Sequence, residues 1–195
     1  MNILIMGVGG QGALLAAKLI GAAAVSKGFD VKASEVHGMA KRGGSVETYV
    51  RYSREPIGAP IIAKGEADII LGLEALEALR GVAYLRKGGR VVMNTQEIDP
   101  MPVITGKDKY PENIAGVLTG QGISVVAVDA LAAAQSAGSI MVTNVVMIGA
   151  MSQIPEFLAD FCDGDWVEAI RASVKGCFLD INLRAFEAGA KLVRC

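Results

Sequence analysis

The sequence predicts an α/β fold: a three-layer α/β/α, Rossmann-like sheet of mixed strand direction, with C-terminal helices. An apolar strand runs into a Gly7-x-Gly9-x-x-Gly12 turn, which opens an Ala- and Leu-rich helical stretch. Further apolar strands and helical stretches alternate along the chain, as they do in layered α/β domains. Only nine residues, 36–44, separate two strands of alternating polarity, whereas a parallel crossover needs about a dozen or more. The sheet should therefore include an antiparallel pair.

The elements of the first half follow from periodicity and from turn residues. A strand over 2–6 precedes the glycine turn, and a helix over 13–27 follows it, with Gly28 as its stop. Strict alternation predicts strands over 29–35 and 45–52. A continuous apolar run predicts a buried strand over 67–73, followed by a helix over 74–85 and by a Gly88-Gly89 turn into a strand over 90–94.

The second half begins with a segment, 95–120, in which prolines and glycines should interrupt regular structure. We expect a loop-rich connection that serves as a lid or as an interface arm. A strand over 123–129, a short helix over 130–137 and a buried apolar helix over 140–154 follow. One or two amphipathic helices should occupy 166–193, with Asp165 of the Asp163-Gly-Asp165 run as the N-cap.

Length and composition limit the functional classes. A chain of 195 residues predicts one compact domain over 1–195. The net charge of −1 and the pI of about 5.9 argue against a nucleic-acid partner. Met1 directly precedes a core strand, and the apolar stretches are broken before they could cross a bilayer, so we expect a cytoplasmic protein that does not contact membranes. The apolar share of 52% suggests that part of the surface is covered by a partner chain or by a second copy.

The cysteines do not suggest a metal or cluster site in this chain. Cys162, Cys177 and Cys195 are too far apart for a CxxC motif or a ferredoxin-type ligand run. His37 is the only histidine, so a histidine-rich metal site is also not expected. We predict reduced thiols and no metal ligands.

The glycine turn admits three interpretations. Its residues Gly7, Gly9, Gly10, Gln11 and Gly12 could let backbone N–H groups approach a phosphate at the helix N-terminus. With Glu35 about 20 residues further on to hold a ribose hydroxyl, they could bind NAD. They could also serve only to pack helix against strand, or to contact a neighbouring subunit.

A second motif, residues 35–45, follows the second predicted strand. His37 is either a proton donor at a ligand and so a candidate catalytic residue, or a loop histidine bonded to backbone. Lys41 and Arg42 combine two cations with the permissive backbone of Gly43 and Gly44, which suits a phosphate or carboxylate clamp. The alternative is a solvated basic turn.

These motifs, in this order, resemble a known family. The chain resembles the gamma domain of the pyruvate/2-oxoacid:ferredoxin oxidoreductases in four segments. They are the turn at 7–12, the segment Ser34-Glu-Val-His-Gly-Met-Ala-Lys-Arg-Gly-Gly-Ser-Val46, the run Gly65-Glu-Ala-Asp68 and the strand Val91-Val-Met-Asn94. Within that family, the similarity is greatest to the smaller subunits of its aryl-pyruvate branch. It covers roughly the first three quarters of the chain.

The resemblance implies a subunit that is inactive alone. It implies oxidative decarboxylation of a 2-oxoacid to an acyl-coenzyme A, with reduction of ferredoxin. A larger alpha subunit would carry thiamine diphosphate, Mg²⁺ and the [4Fe–4S] clusters and would pass electrons to ferredoxin. Coenzyme A would be the co-substrate. The residues that it marks for binding are Gly9, Gly10, Gln11, Gly12, Glu35, His37, Gly38, Lys41, Arg42, Gly43 and Gly44.

Two alternatives from other classes remain open at this point. One is a stand-alone NAD(P)-binding oxidoreductase, which Glu35 favours and the short 36–44 link opposes. The other is a non-enzymatic nucleotide-binding scaffold.

Overall fold

A computed structural model of the chain describes residues 1–37 and 44–194. Its strands are β1 Asn2–Val8, β2 Asp30–His37, β3 Ser45–Ser53, β4 Ala67–Gly72, β5 Leu85–Asn94 and β6 Ser124–Val128. Its α-helices are α1 Ala13–Ser26, α2 Ala75–Gly81, α3 Met101–Ile104, α4 Ile114–Gly120, α5 Ala130–Ala137, α6 Thr143–Ser152, α7 Pro155–Leu158, α8 Asp163–Ser173 and α9 Leu179–Lys191. Short 3₁₀ turns lie at Val82–Tyr84, Ile140–Val142 and Gly176–Phe178.

The strands form one mixed sheet in the order β2-β3-β1-β4-β5-β6. β3 is antiparallel to both β1 and β2, whereas β1, β4, β5 and β6 run parallel. The predicted antiparallel element is confirmed. Its cause is the one given above, since the link between the end of β2 at His37 and the start of β3 at Ser45 is even shorter than predicted and too short for a crossover. The antiparallel strand β3 thus separates β1 from β2.

Helices cover both faces of the sheet, which confirms the predicted three-layer α/β/α architecture. Successive residues of β1 alternate between two cores, with Ile3 and Ile5 in one and Leu4 and Met6 in the other. The first core contains α1, α5, α6, α8 and α9, and the second contains α2 and α4. The carboxyl ends of the four parallel strands therefore open between two helical layers, where open α/β sheets bind ligands.

Helix α1 ends as its sequence predicts. Gly28 has a φ of 77°. Its N–H donates to Val25 O, and the N–H of Phe29 donates to Ala24 O. This pair of bonds is a Schellman motif, which requires a left-handed residue after the helix and therefore favours glycine.

The predicted unit at 74–94 is only partly right. The helix predicted over 74–85 is present as α2 up to Gly81 and as the 3₁₀ turn Val82–Tyr84 after it, whereas β5 begins at Leu85 instead of residue 90. Gly88 and Gly89 lie inside β5, where the register against β4 shifts between Ala67 and Ile69. Gly88 has the left-handed conformation, with φ 77°, which lets β5 accommodate its unpaired residues as a bulge-like irregularity. The glycine pair, which the sequence suggested was a turn, therefore does not end the strand.

Three further boundaries differ from the prediction. Segment 95–120 is interrupted as expected, but it contains the short helices α3 and α4. The apolar helix predicted over 140–154 starts as a 3₁₀ turn and continues as α6. Asp165 is not the N-cap of α8: Cys162 is the cap, and the carboxylate of Asp165 accepts the backbone N–H of Cys162 at 2.8 Å in a capping box. Among the described residues, no helix has the length and apolar character needed to span a bilayer.

Candidate functional site

The glycine turn joins the carboxyl end of β1 to the start of α1. Gly12 adopts the left-handed conformation, with φ 80° and ψ 32°, and Gly10 has φ 103°. A Cβ on Gly7 would lie 3.1 Å from Gln11 Oε1 and 3.2 Å from Leu73 Cβ. Glycine is thus required at position 12 by backbone conformation and favoured at position 7 by close packing.

The turn presents unpaired backbone donors. Within the described residues, the N–H groups of Gly10, Gly12, Ala13 and Leu14 have no hydrogen-bond acceptor. Helix α1 has no side-chain cap and no acidic residue in its first turn. The positive end of the helix dipole and the free donors together favour a negatively charged or strongly hydrogen-bonding ligand group.

The side chain of Gln11 closes the turn from inside. Its Oε1 accepts the N–H of Val8 at 2.8 Å, and its Nε2 donates to Leu73 O at 3.1 Å. Leu73 follows β4, and its own N–H donates to Met6 O at 2.8 Å. Gln11 therefore ties the ends of β1 and β4 together.

Two buried asparagines complete this arrangement. Asn94, at the end of β5, donates through Nδ2 to Leu73 O at 3.1 Å and accepts the N–H of Ala130 at 3.1 Å. Asn144, in the first turn of α6, donates through Nδ2 to Gly12 O at 3.0 Å. The strand ends and the starts of α1, α5 and α6 are thereby joined through side-chain amides.

The structure brings the glycine turn against the end of the second sequence motif. The N–H of Gly9 donates to Gly44 O at 3.0 Å, and Ser45 is paired with Val8 across the β1–β3 ladder. The hydroxyl of Ser45 donates to Glu77, a buried carboxylate that also pairs with Arg80. The chain thus returns from the second motif directly beside the turn.

Other members of the second motif are less close, or lie outside the described residues. Glu35 is level with Thr48 of β3, which is level with Ile5 of β1. Because β3 lies between, Glu35 sits two strand spacings, about 9–10 Å, from β1. That arrangement differs from a dinucleotide fold, in which the acidic residue ends the strand next to β1. His37 ends β2 opposite Val46. Gly38, Lys41, Arg42 and Gly43 lie outside the described residues.

A crevice opens next to the turn at the carboxyl ends of the parallel strands. Its volume is about 140 Å³. Its walls combine apolar side chains with neutral amides and a hydroxyl. The described residues that line it carry no charge: Gly10, Gln11, Leu73, Gln96, Ile98, Leu131, Ile140, Met141, Thr143 and Asn144. A ligand in it would meet neutral hydrogen-bonding groups and apolar walls, with the free N–H groups of the turn at one end.

One wall of the crevice is held by a buried carboxylate. Glu74 is 1% exposed, and its Oε1 accepts both the N–H of Ile98 at 3.0 Å and the hydroxyl of Tyr110. Its other oxygen accepts the N–H of Glu77 at 2.8 Å. Burial, and then the adjacent Glu74 carboxylate, raise the pKa of Tyr110 well above its usual value, so the hydroxyl stays a donor. Segment 98–110 is therefore fixed at both ends on one acid.

Several of these residues were not anticipated from the sequence. Asn94, Gln96 and Asn144 lie in different elements, and no local motif connects them with the turn. Asn94 ends a predicted buried strand and Glu74 begins a predicted helix, so a polar residue at the carboxyl end of a parallel strand was the available signal. Among the described residues, no cluster of histidine, cysteine or acidic side chains has the arrangement of a metal site, and Cys162 and Cys177 are exposed free thiols.

Comparison with known proteins assigns the family. The model of the pyruvate ferredoxin/flavodoxin oxidoreductase family matches residues 2–192. The chain belongs to that family. Within it, the chain is 45% identical to the indolepyruvate oxidoreductase subunit IorB of Thermococcus kodakarensis, over 99% of this chain and 96% of the relative.

Solved structures show the same fold. The gamma subunit of a keto/oxoacid ferredoxin oxidoreductase from Geobacter sulfurreducens is 23% identical with a TM-score of 0.71, and the match covers 98% of this chain and 97% of that subunit. The 2-oxoglutarate:ferredoxin oxidoreductase of Magnetococcus marinus, with 2-oxoglutarate, coenzyme A and succinyl-CoA bound, is 20% identical with a TM-score of 0.75. That match covers 100% of this chain but 31% of the Magnetococcus chain. The fold thus occurs both in a separate subunit and as part of a longer chain.

Proposed function

We propose that this chain is the smaller subunit of an indolepyruvate ferredoxin oxidoreductase, acting as one gamma-type domain over residues 1–195. The complex would oxidatively decarboxylate an aryl pyruvate, transfer the acyl group to coenzyme A, and pass the released electrons to ferredoxin. The observation that carries this proposal is the 45% identity to an indolepyruvate oxidoreductase subunit over nearly the full length of both chains.

The larger alpha subunit would supply thiamine diphosphate, Mg²⁺ and the [4Fe–4S] clusters, and would transfer electrons to ferredoxin. The name of the Thermococcus relative describes a subunit, and the Magnetococcus protein contains this fold as about a third of its chain. Both facts support a division of labour in which the redox chemistry belongs to the partner. The present chain then contributes a binding surface.

The free donors of the glycine turn suit an anionic group of coenzyme A or the carboxylate of the 2-oxoacid. The N–H groups of Gly12, Ala13 and Leu14 point from an uncapped helix N-terminus. The neutral residue Gln96 and the apolar residues Leu73 and Ile98 line the same crevice, which suits a flexible amide-bearing chain. Coenzyme A combines both kinds of group. Lys41, Arg42 and His37 remain predicted contributors to this site.

The crevice requires a second surface. Sites for small molecules enclose about 300–1,000 Å³, which is more than the 140 Å³ found here. Two residues of its lining, Ile140 and Met141, are large apolar side chains that are more than half exposed. Three more with that exposure lie near lining residues along the chain, Leu14 in the first turn of α1 and Met101 and Ile104 in α3. We call these five residues the apolar collar. Exposed apolar side chains at and near an incomplete site favour a partner surface that covers them and closes the site.

Co-purification tests the assignment. The chain should be recovered from native extract with a larger, brown, iron-containing chain, and the separated small chain should not reduce a dye with indolepyruvate. Recovery as a lone chain retaining NAD would support the NAD(P)-binding alternative. A lone chain with neither iron partner nor nucleotide would support the scaffold.

A matched pair of variants tests the collar. Leu14 and Val25 lie at opposite ends of α1 and are similarly exposed, at 61% and 62%. Leu14→Lys should weaken binding to the large subunit about tenfold or more, because it places a charge in an apolar interface. Val25→Lys should bind normally. Equal affinities of the two variants for the large subunit would show that the collar is not part of the interface. If the chain dimerises through the collar in the absence of the large subunit, a second copy of the chain covers the collar instead.

A further inference from the structure

Neutral carboxamides connect the ends of β1, β4 and β5 beside the crevice, of whose lining Gln11 and Leu73 are part. From one side, the N–H of Val8 donates to Gln11, whose Nε2 donates to Leu73 O. From the other side, the N–H of Ala130 donates to Asn94, whose Nδ2 donates to the same Leu73 oxygen. One carbonyl thus receives two side-chain amides, at 3.1 Å each.

Asn144 attaches this connection to the ligand-facing end of α1. Its Nδ2 donates to Gly12 O at 3.0 Å, while its Oδ1 accepts the N–H of Val145 at 3.0 Å. Gly12 O also accepts the N–H groups of Leu15 and Ala16, so it is the first carbonyl of the helix. Asn144 is 4% exposed and touches the turn so closely that a Cβ on Gly12 would lie 2.5 Å from its Nδ2.

Each of the three side chains uses both ends of its amide, as a donor and as an acceptor. An ionised aspartate or glutamate has no donor. At these three positions a carboxylate oxygen would replace the amide nitrogen that now donates to a carbonyl oxygen, so two acceptors would face each other. The carboxylate would also add a negative charge near the N–H groups of the turn. The geometry therefore requires a neutral amide at all three positions.

We propose that Gln11, Asn94 and Asn144 are positioning residues. They hold the N–H groups of the glycine turn that have no acceptor among the described residues, in the orientation that binds the anionic group of coenzyme A. We call these three residues the carboxamide clamp. The inference rests on the proposed function. The clamp acts through the turn and not by contact with the reacting atoms, so its loss should affect binding of one substrate more than turnover.

The test uses the reconstituted complex with Asn144→Asp, which keeps the size of the side chain and removes its donor. The KM for coenzyme A should rise about tenfold or more, with kcat and the KM for indolepyruvate changed much less. Lowering the pH should bring the KM of the variant back toward that of the parent enzyme, because a protonated carboxyl group regains an O–H donor. The pKa of a buried carboxyl facing a carbonyl oxygen is raised, which brings this recovery toward neutral pH.

Asn182→Asp is the matched control. Asn182 is another buried asparagine, 5% exposed, and its Nδ2 donates to Phe178 O at 2.7 Å, but it does not line the crevice. It should leave the KM for coenzyme A unchanged. Gln11→Glu makes the same donor-to-acceptor change at a half-buried position and replaces Asn144→Asp if that variant does not assemble.

Equal KM values for coenzyme A in the Asn144→Asp and Asn182→Asp complexes would overturn the inference. So would failure of both Asn144→Asp and Gln11→Glu to assemble while Asn182→Asp assembles, since the clamp would then be needed for folding and not for binding. An inactive parent complex would instead contradict the proposed function, which keeps the two failures distinguishable.

Discussion

Replacement of Gly12 by alanine perturbs the turn in two ways that the structure separates. Gly12 has φ 80°, a conformation that an L-residue adopts only with strain. The new Cβ would lie 2.5 Å from Asn144 Nδ2, so the asparagine must move and its bond to Gly12 O is broken. Gly12→Ala should therefore cost both backbone strain and a buried hydrogen bond.

The expected magnitude is the sum of these effects. The left-handed conformation costs about 1–2 kcal/mol for a residue with a Cβ, and the lost hydrogen bond costs about 0.5–1.5 kcal/mol. The free energy of unfolding should fall by about 1.5–3.5 kcal/mol. At about 2–4 °C per kcal/mol for a chain of this size, the Tm should fall by about 3–14 °C.

Thermal and urea unfolding of a glycine series measures the two contributions. Gly10 has φ 103°, and no atom of the described residues lies within 4 Å of an added Cβ, so Gly10→Ala should show the strain alone, about 1–2 kcal/mol. Gly58 has neither feature, and Gly58→Ala should stay within about 0.5 kcal/mol of the parent. A Gly12→Ala variant no less stable than Gly10→Ala would refute the packing of Asn144 on the turn.

Three further predictions concern stability. Tyr110→Phe removes a donor to the buried Glu74 and should cost about 1.5–3 kcal/mol in urea unfolding, with faster hydrogen exchange at the Ile98 amide; an unchanged exchange rate would show that segment 98–110 is held in another way. Gly149→Ala would overlap the carbonyl oxygen of Phe186 where α6 and α9 cross, and should cost more than about 4 kcal/mol, whereas Gly176→Ala, with open space around it, serves as the control. The third prediction concerns the pKa of Asp165. Partial desolvation acts to raise this pKa, but the N–H of Cys162 and the ammonium of Lys27 outweigh it and hold the pKa below 3.8. The carboxylate therefore stabilises the fold above about pH 4 and stops doing so as the pH falls through its folded-state pKa. The difference in unfolding free energy between the parent and Asp165→Asn should accordingly narrow as the pH falls through the folded-state pKa of Asp165, and a difference that does not change with pH in acid would contradict the capping-box assignment.

The sequence predicted the architecture because local signals agreed with the global fold. The glycine turn, the stop at Gly28 and the short 36–44 link each act over a few residues, and each has the predicted structure or pairing. Gly88-Gly89 misled because a bulge and a turn require the same left-handed backbone. The prediction for Asp165 was wrong because an aspartate near a helix start can be the N-cap itself or can, from position N3, accept the backbone N–H of the N-cap residue, here Cys162.

The candidate site was less accessible to sequence reasoning. The contacts between Gln11 and Leu73, between Asn94 and Ala130, and between Asn144 and Gly12 join residues up to 132 positions apart. No periodicity or spacing encodes such contacts, since they depend on where the strand ends meet. The insertion of β3 between β1 and β2 was anticipated only as an antiparallel element, so the displacement of Glu35 from the turn emerged with the strand order.

Reconstitution tests the central claim most directly. The purified chain and its large, iron-containing partner should each fail to reduce ferredoxin with indolepyruvate and coenzyme A, and their mixture should reduce it while forming an acyl-coenzyme A product. Full activity of the large subunit alone, or an inactive mixture in which the two chains do not associate, would contradict the assignment of this chain as the subunit that completes the site.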